Sequence, residues 1–187
     1  FTAGSKGYFG GGTEFVAIRD LWQYDFNADT WTKKSDLPIT GISRVAFGFN
    51  NTGYLLALDP SLNTNMWKYN LNTDIWTLES TAPFALQDEP GYFIVGNTLY
   101  LMVDYNLWKY DFSTGQWTDL GPKPEGVYHC FSIGNFGYGL GNQQMYKYDP
   151  SQNSWTIELS PFSYYPASVE AFSVNGRAFV FAGNSML

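Results

Sequence analysis

Short apolar runs alternate along the chain with turn-forming residues, at the spacing of β-strands rather than helices. One cassette dominates: an aromatic, any residue, Tyr, Asp or Asn, then five residues and Trp. It reads Trp22-Gln23-Tyr24-Asp25 with Trp31, then Trp67-Lys68-Tyr69-Asn70 with Trp76. The third copy is Trp108-Lys109-Tyr110-Asp111 with Trp117, and the fourth Tyr146-Lys147-Tyr148-Asp149 with Trp155. Ahead of each cassette lie two hydrophobic runs joined by a tight turn. The first runs include Ala46–Phe49, Tyr92–Val95, Cys130–Ile133 and Ala171–Val174. The second are Tyr54–Leu58, Leu99–Val103, Tyr138–Leu140 and Ala178–Ala182, with Gly7–Gly12 filling that role at the start of the chain. The turns between them (Asn50–Gly53, Gly96–Thr98, Gly134–Gly137, Asn175-Gly176) are rich in residues that accept positive φ.

Each unit therefore predicts four consecutive antiparallel strands, A to D. In the first unit strand C covers Leu21–Phe26 and strand D Thr30–Lys33. The approximate repeats are 1–40, 41–86, 87–125, 126–166 and a partial 167–187, all in one domain. A lone four-stranded sheet leaves two faces uncovered, and radial stacking of neighbours about an axis covers both. The expected fold class is an all-β propeller of four-stranded blades. The strand-C Tyr and strand-D Trp are expected to pack between blades.

On these residues the chain resembles the kelch-repeat propellers. The resemblance rests on the small or Gly-rich end of strand B (Gly10-Gly11-Gly12, Gly139-Leu140-Gly141, Ala182-Gly183), the strand-C Tyr-Asp pair and the strand-D Trp. The second and third units depart from it, reading Leu56-Ala57-Leu58 and Leu101-Met102-Val103 where kelch repeats carry two glycines. The period overlaps that of WD40 repeats, but no Gly-His or Trp-Asp dipeptide occurs. Kelch propellers close their ring with strands from both termini in one blade. Here the N-terminus offers the end of strand A and then B, while the last unit stops after B. The expectation is a parent protein with residues upstream of Phe1 that complete a ring of about six blades; the alternative is a distorted five-bladed ring.

Composition narrows the function. The chain of 187 residues is 19% aromatic and only 14% charged, with net charge −7. Ten scattered Lys and Arg residues do not make a phosphate-backbone footprint, so no nucleic-acid partner is expected. No apolar run approaches the ~20 residues of a membrane-spanning helix. The single Cys130 allows no internal disulfide, and its position inside a strand-A run predicts a buried, inert thiol.

The alternating Asp25-Phe26-Asn27-Ala28-Asp29 tempts a calcium reading. The same spot is acidic or amide-rich in every unit, which is better read as an Asx turn that caps its own backbone. No metal and no cofactor is expected. His129, the only histidine, excludes zinc sites built on two or three histidines. It also excludes the copper-radical chemistry of kelch-bearing galactose oxidases.

Selectivity should lie where the units differ. The start of strand A is the variable column: Arg44, Asp88-Glu89, Tyr128-His129 and Glu170. The D-to-A loops before it vary too, with Tyr164 and Tyr165 in the last. In a propeller, strands A line the central channel, so these positions converge on one mouth and are candidate ligand-binding residues. The resulting expectation is a non-catalytic recognition or scaffold module that binds a protein or glycan through its loops, at an extracellular, periplasmic or cell-surface location like the bacterial kelch arrays it resembles. The alternative is a sugar-acid enzyme similar to the kelch-type sialic-acid mutarotases. In that case Arg44 would hold a carboxylate and Glu89, Glu170 or His129 would move protons.

Overall fold

A computed structural model describes residues 1–13, 17–39, 44–86, 90–141, 144–158 and 168–183. For Thr13, Ala17, Arg44, Ser168, Val169, Glu170, Ala182 and Gly183 it describes the backbone only. Among the described residues every regular element is a β-strand, and no helix is long and apolar enough to cross a membrane. The chain divides into two compact units, residues 1–89 and 90–187.

Unit 1 holds two antiparallel sheets whose strands follow in sequence order. The first is β1 (Thr2–Ala3), β2 (Lys6–Thr13), β3 (Ala17–Asp25) and β4 (Thr30–Lys34). The second is β5 (Arg44–Phe49), β6 (Thr52–Leu58), β7 (Thr64–Asn70) and β8 (Ile75–Thr81). Unit 2 holds β9 (Tyr92–Val95), β10 (Thr98–Val103), β11 (Asn106–Asp111) and β12 (Gln116–Pro122). Its second sheet is β13 (Val127–Ile133), β14 (Phe136–Gly141), β15 (Gln144–Asp149) and β16 (Ser154–Glu158), and a hairpin of β17 (Ser168–Val174) and β18 (Arg177–Gly183) follows. These meandering four-stranded sheets, with a fifth A–B hairpin, are the blades of a β-propeller.

The strands form where cross-strand aromatic pairs hold them. In every blade an A-strand Phe stacks on a B-strand aromatic: Phe47 on Tyr54, Phe93 on Tyr100, Phe131 on Tyr138 and Phe172 on Phe179, with centroids 5.0–5.5 Å apart. Phe1 stacks on Tyr8 in the same way at 5.1 Å. Strand C pairs its Tyr directly opposite the Trp of strand D, as in Tyr69 with Trp76 and Tyr148 with Trp155. Each such pair adds about 0.5–1.5 kcal/mol beyond its area burial.

The blades then lock together through these same rings. In unit 1, Tyr8 meets the edge of Tyr69 at 5.7 Å. In unit 2, the Phe93–Tyr100 stack receives Tyr148 and Trp155 of the following blade. Backbone approach is close enough that a Cβ on Gly48 would lie 1.7 Å from the Thr2 carbonyl oxygen, so only glycine fits there. B strands carry the most burial and D strands the least, as expected for inner and outer positions. Trp67 and Trp76 bury their indole N–H groups without an acceptor among the described residues, a cost of about 1–3 kcal/mol each that the burial of their rings must offset.

Two expectations change. Trp31 does not pack between blades: it is 55% exposed, because among the described residues no A–B stack lies against the outer face of the first blade. Strand A also starts earlier than its apolar run, at Arg44, Val127 and Ser168, so Arg44, Tyr128, His129 and Glu170 stand inside the first half of the strands at whose entrance they were expected.

Candidate functional site

Of the eight residues singled out at the start of strand A, the structure describes the side chains of two. Asp88, Glu89, Tyr164 and Tyr165 lie outside the described residues. Arg44 opens β5 opposite Ala57, and Glu170 lies in β17 opposite Phe181. Tyr128 and His129 are neighbours in β13, and β13 runs between β9 and β17 within unit 2. Tyr128, His129 and the backbone of Glu170 therefore belong to the first halves of two adjacent A strands.

A β-bulge gives Tyr128 its exposure. The β13–β14 register runs Val127↔Gly141 and then His129↔Leu140, which leaves Tyr128 as the extra residue. A bulge bends the strand and re-aims one side chain. Tyr128 is 57% exposed while Val127 beside it is buried. The neighbouring blade presses against this point: a Cβ on Gly91 would sit 2.6 Å from the Tyr128 carbonyl oxygen and 2.7 Å from the Cys130 sulfur. Any larger residue at position 91 would push the two A strands apart.

Cys130 lies half-buried behind this surface. Burial pushes its thiol up to about 12, against the opposing pull of Lys123, and its Sγ lies 3.7 Å from Met102 Sδ. A thiol held that far above neutrality is no nucleophile. Burial lowers the Lys123 ammonium, opposed by Cys130, Asp104 and Glu125. The Lys123 backbone N–H donates to the Tyr105 carbonyl at 3.0 Å, which ties the β10–β11 turn to the approach to β13.

Tyr105 went unnoticed in the sequence. It caps the β10–β11 turn, at the same blade end as Tyr128, and is 79% exposed. The signal was available, since Asp104-Tyr105 stands where the other units carry differently built B–C turns. In unit 1 the corresponding turn is an Asx-capped loop. Asp59 accepts from the Ser61 and Asn63 backbone N–H groups at 2.9 Å and from the Asn65 side chain, while Leu62 at its tip is 69% exposed.

The acidic C–D turns close as Asx turns. Asp25 Oδ1 accepts from the Asn27 N–H at 2.9 Å, Asn70 Oδ1 from Asn72 at 2.9 Å, Asp111 Oδ1 from Ser113 at 2.7 Å and Asp149 Oδ1 from Ser151 at 2.9 Å. Four residues on, Asp29, Asp74, Gly115 and Asn153 all take positive φ. Among the described residues no group of three or more His, Cys, Asp or Glu side chains is arranged to hold a metal.

No protein-family model matches the chain, and no curated protein matches it. Solved structures do, in 260 chains, so the fold is widely shared and does not by itself select a function. One is the structure of YjhT, with a TM-score of 0.68 and 14% sequence identity, covering 93% of this chain and 72% of that one. At that identity the likeness concerns the fold alone.

Proposed function

We propose that this chain is a non-catalytic recognition module of the kelch type, which binds a protein or glycan partner through the loop end of its blades where strands A begin. The supporting observation is Tyr128, an aromatic side chain turned outward by a bulge while its strand neighbour Val127 is buried. Tyr105 adds a second exposed ring at the same blade end of unit 2. Amphipathic rings of this kind suit both protein hot spots and the apolar faces of sugars. The Gly-rich ends of strand B and the Tyr-Asp and Trp cassette support the kelch assignment. The terse, aromatic cassettes resemble those of bacterial extracellular arrays and favour a secreted or cell-surface setting.

A second reading, a small-molecule enzyme acting on a sugar acid, draws on His129 and Glu170 lying in adjacent A strands, β13 and β17. The two readings separate in one experiment. A glycan and protein-partner screen is followed by anomer-exchange NMR on any sugar that binds. The recognition reading expects binding without exchange, and Tyr128→Ala weakening binding about tenfold or more while leaving the melting temperature unchanged. Exchange that is lost in His129→Ala would favour the enzyme. Binding that is indifferent to Tyr128→Ala and Tyr105→Ala would remove this end of the blades from consideration.

A further inference from the structure

The joint between blades has two halves. The giving half is an A–B aromatic stack. The receiving half is the face of the next blade that carries the strand-C Tyr and the strand-D Trp. It includes a hole for the incoming ring, a glycine that precedes the B-strand Tyr and pairs with the strand-C Tyr. At Gly53, paired with Tyr69, a Cβ would lie 2.7 Å from the ring of Phe1, and Tyr8 of the same stack meets Tyr69. At Gly137, paired with Tyr148, a Cβ would lie 2.2 Å from the ring of Phe93, which also meets Trp155.

One receiving half stays open in unit 1. Gly7 precedes Tyr8 and pairs with Tyr24, which pairs in turn with Trp31. Strand alternation puts Phe9 on this same face and Tyr8 on the other, where it meets Tyr69. Among the described residues no ring from another blade enters the Gly7 hole; the exposed Phe26 of its own C–D turn overhangs it. Phe9 is 71% exposed. Leu55 follows Tyr54 as Phe9 follows Tyr8, yet it is 2% exposed and clusters with Ala3 and Tyr8. The covering blade makes that difference.

One giving half stays open in unit 2. Phe172 stacks on Phe179 at 5.5 Å as its counterparts do, but the two are 48% and 41% exposed, where Phe47, Tyr54, Phe93 and Tyr100 are buried. Phe181 stacks on Phe172 at 5.8 Å and continues the exposed face. Contiguous apolar surface of this kind marks an interaction site.

We propose that the chain associates with a second copy of itself head to tail, the Phe172–Phe179 stack of one copy seating on the Gly7, Tyr24 and Trp31 face of the other. The occupant follows from complementarity: the two open surfaces are the two halves of a joint that the fold already makes at Gly53 and at Gly137. The A–B hairpin of β17 and β18 carries the whole giving half, and β2 to β4 carry the whole receiving half. Different patches meet on the two copies, so the contact is heterologous and extends or closes into a ring. Tyr128 and Tyr105 take no part in it, which makes it independent of the loop-end reading.

The test is the molar mass of the full chain in solution across a concentration series, by light scattering after size exclusion. The expected result is a mass that exceeds one copy and rises with concentration. Trp31→Ala and Phe172→Ala should each weaken association about tenfold or more. Both side chains are about half exposed, so neither substitution should lower the melting temperature of the single copy. Mixing the two variants supplies one intact joint, Phe172 from the first and Trp31 from the second, and should restore a dimer that grows no further. Tyr128→Ala should leave the mass unchanged. A single copy at every concentration, association indifferent to both substitutions, or a mixture that stays monomeric would each overturn the proposal.

Discussion

Asp74 shows how much one turn residue holds in this chain. It takes φ 57° and accepts from the Tyr69 hydroxyl at 2.6 Å and the Ser35 backbone N–H at 2.9 Å, with Lys34 at 3.7 Å. Burial would raise its pKa, but these donors and the cation outweigh burial and hold it below the ordinary carboxylate range. Asp111 is held low as well, first by the Ser113 backbone N–H. A carboxyl whose folded pKa is depressed stabilises the fold above its unfolded pKa, and that contribution is lost as pH falls through the folded value. Asn70 performs the same backbone-capping task without titrating. Asp111→Asn is therefore expected to leave the urea midpoint nearly unchanged at pH 7 and to make its fall below about pH 4 shallower. Urea titrations of both proteins across that range check this. A neutral-pH loss as large as that of Asp111→Ala would mean the charge, and not the acceptor, closes the turn.

At the scale of the strand and the blade, position in the stack decides what a repeated residue does. Trp31 and Trp155 occupy the same cassette position, yet Trp155 meets the ring of Phe93 at 6.4 Å and Trp31 is 55% exposed. Trp155→Ala is expected to cost about 3 kcal/mol and Trp31→Ala less than about 1 kcal/mol, read from urea midpoints at constant slope. Equal costs would mean that the strand-D Trp acts within its own blade, through its pairing with the strand-C Tyr, and not between blades. The cassette was legible in the sequence because every copy meets the same demands: an Asx cap, a residue that takes positive φ and a Tyr opposite a Trp. The bulge at Tyr128 was not legible, since it depends on a one-residue slip in register between β13 and β14 that leaves no mark in composition. The exposure of Trp31 was equally hidden, because it is set by the neighbour and not by the residue.

Across the whole molecule, one joint recurs in both units: the A–B aromatic stack of one blade receives the strand-C Tyr, and in unit 2 the strand-D Trp as well, of the blade that follows. Radial stacking of this kind buries faces that no single sheet can cover, and it leaves the ends of the blades free to diverge. In unit 2 the candidate surface of Tyr128 and Tyr105 lies at one such end. The most direct test of the joint is a set of aromatic NOEs in the isotope-labelled chain. Contacts are expected between Phe93 and Trp155, between Tyr100 and Tyr148, and between Tyr8 and Tyr69. NOEs that instead interleave strands of non-adjacent cassettes, as in a two-layer sandwich, would contradict it.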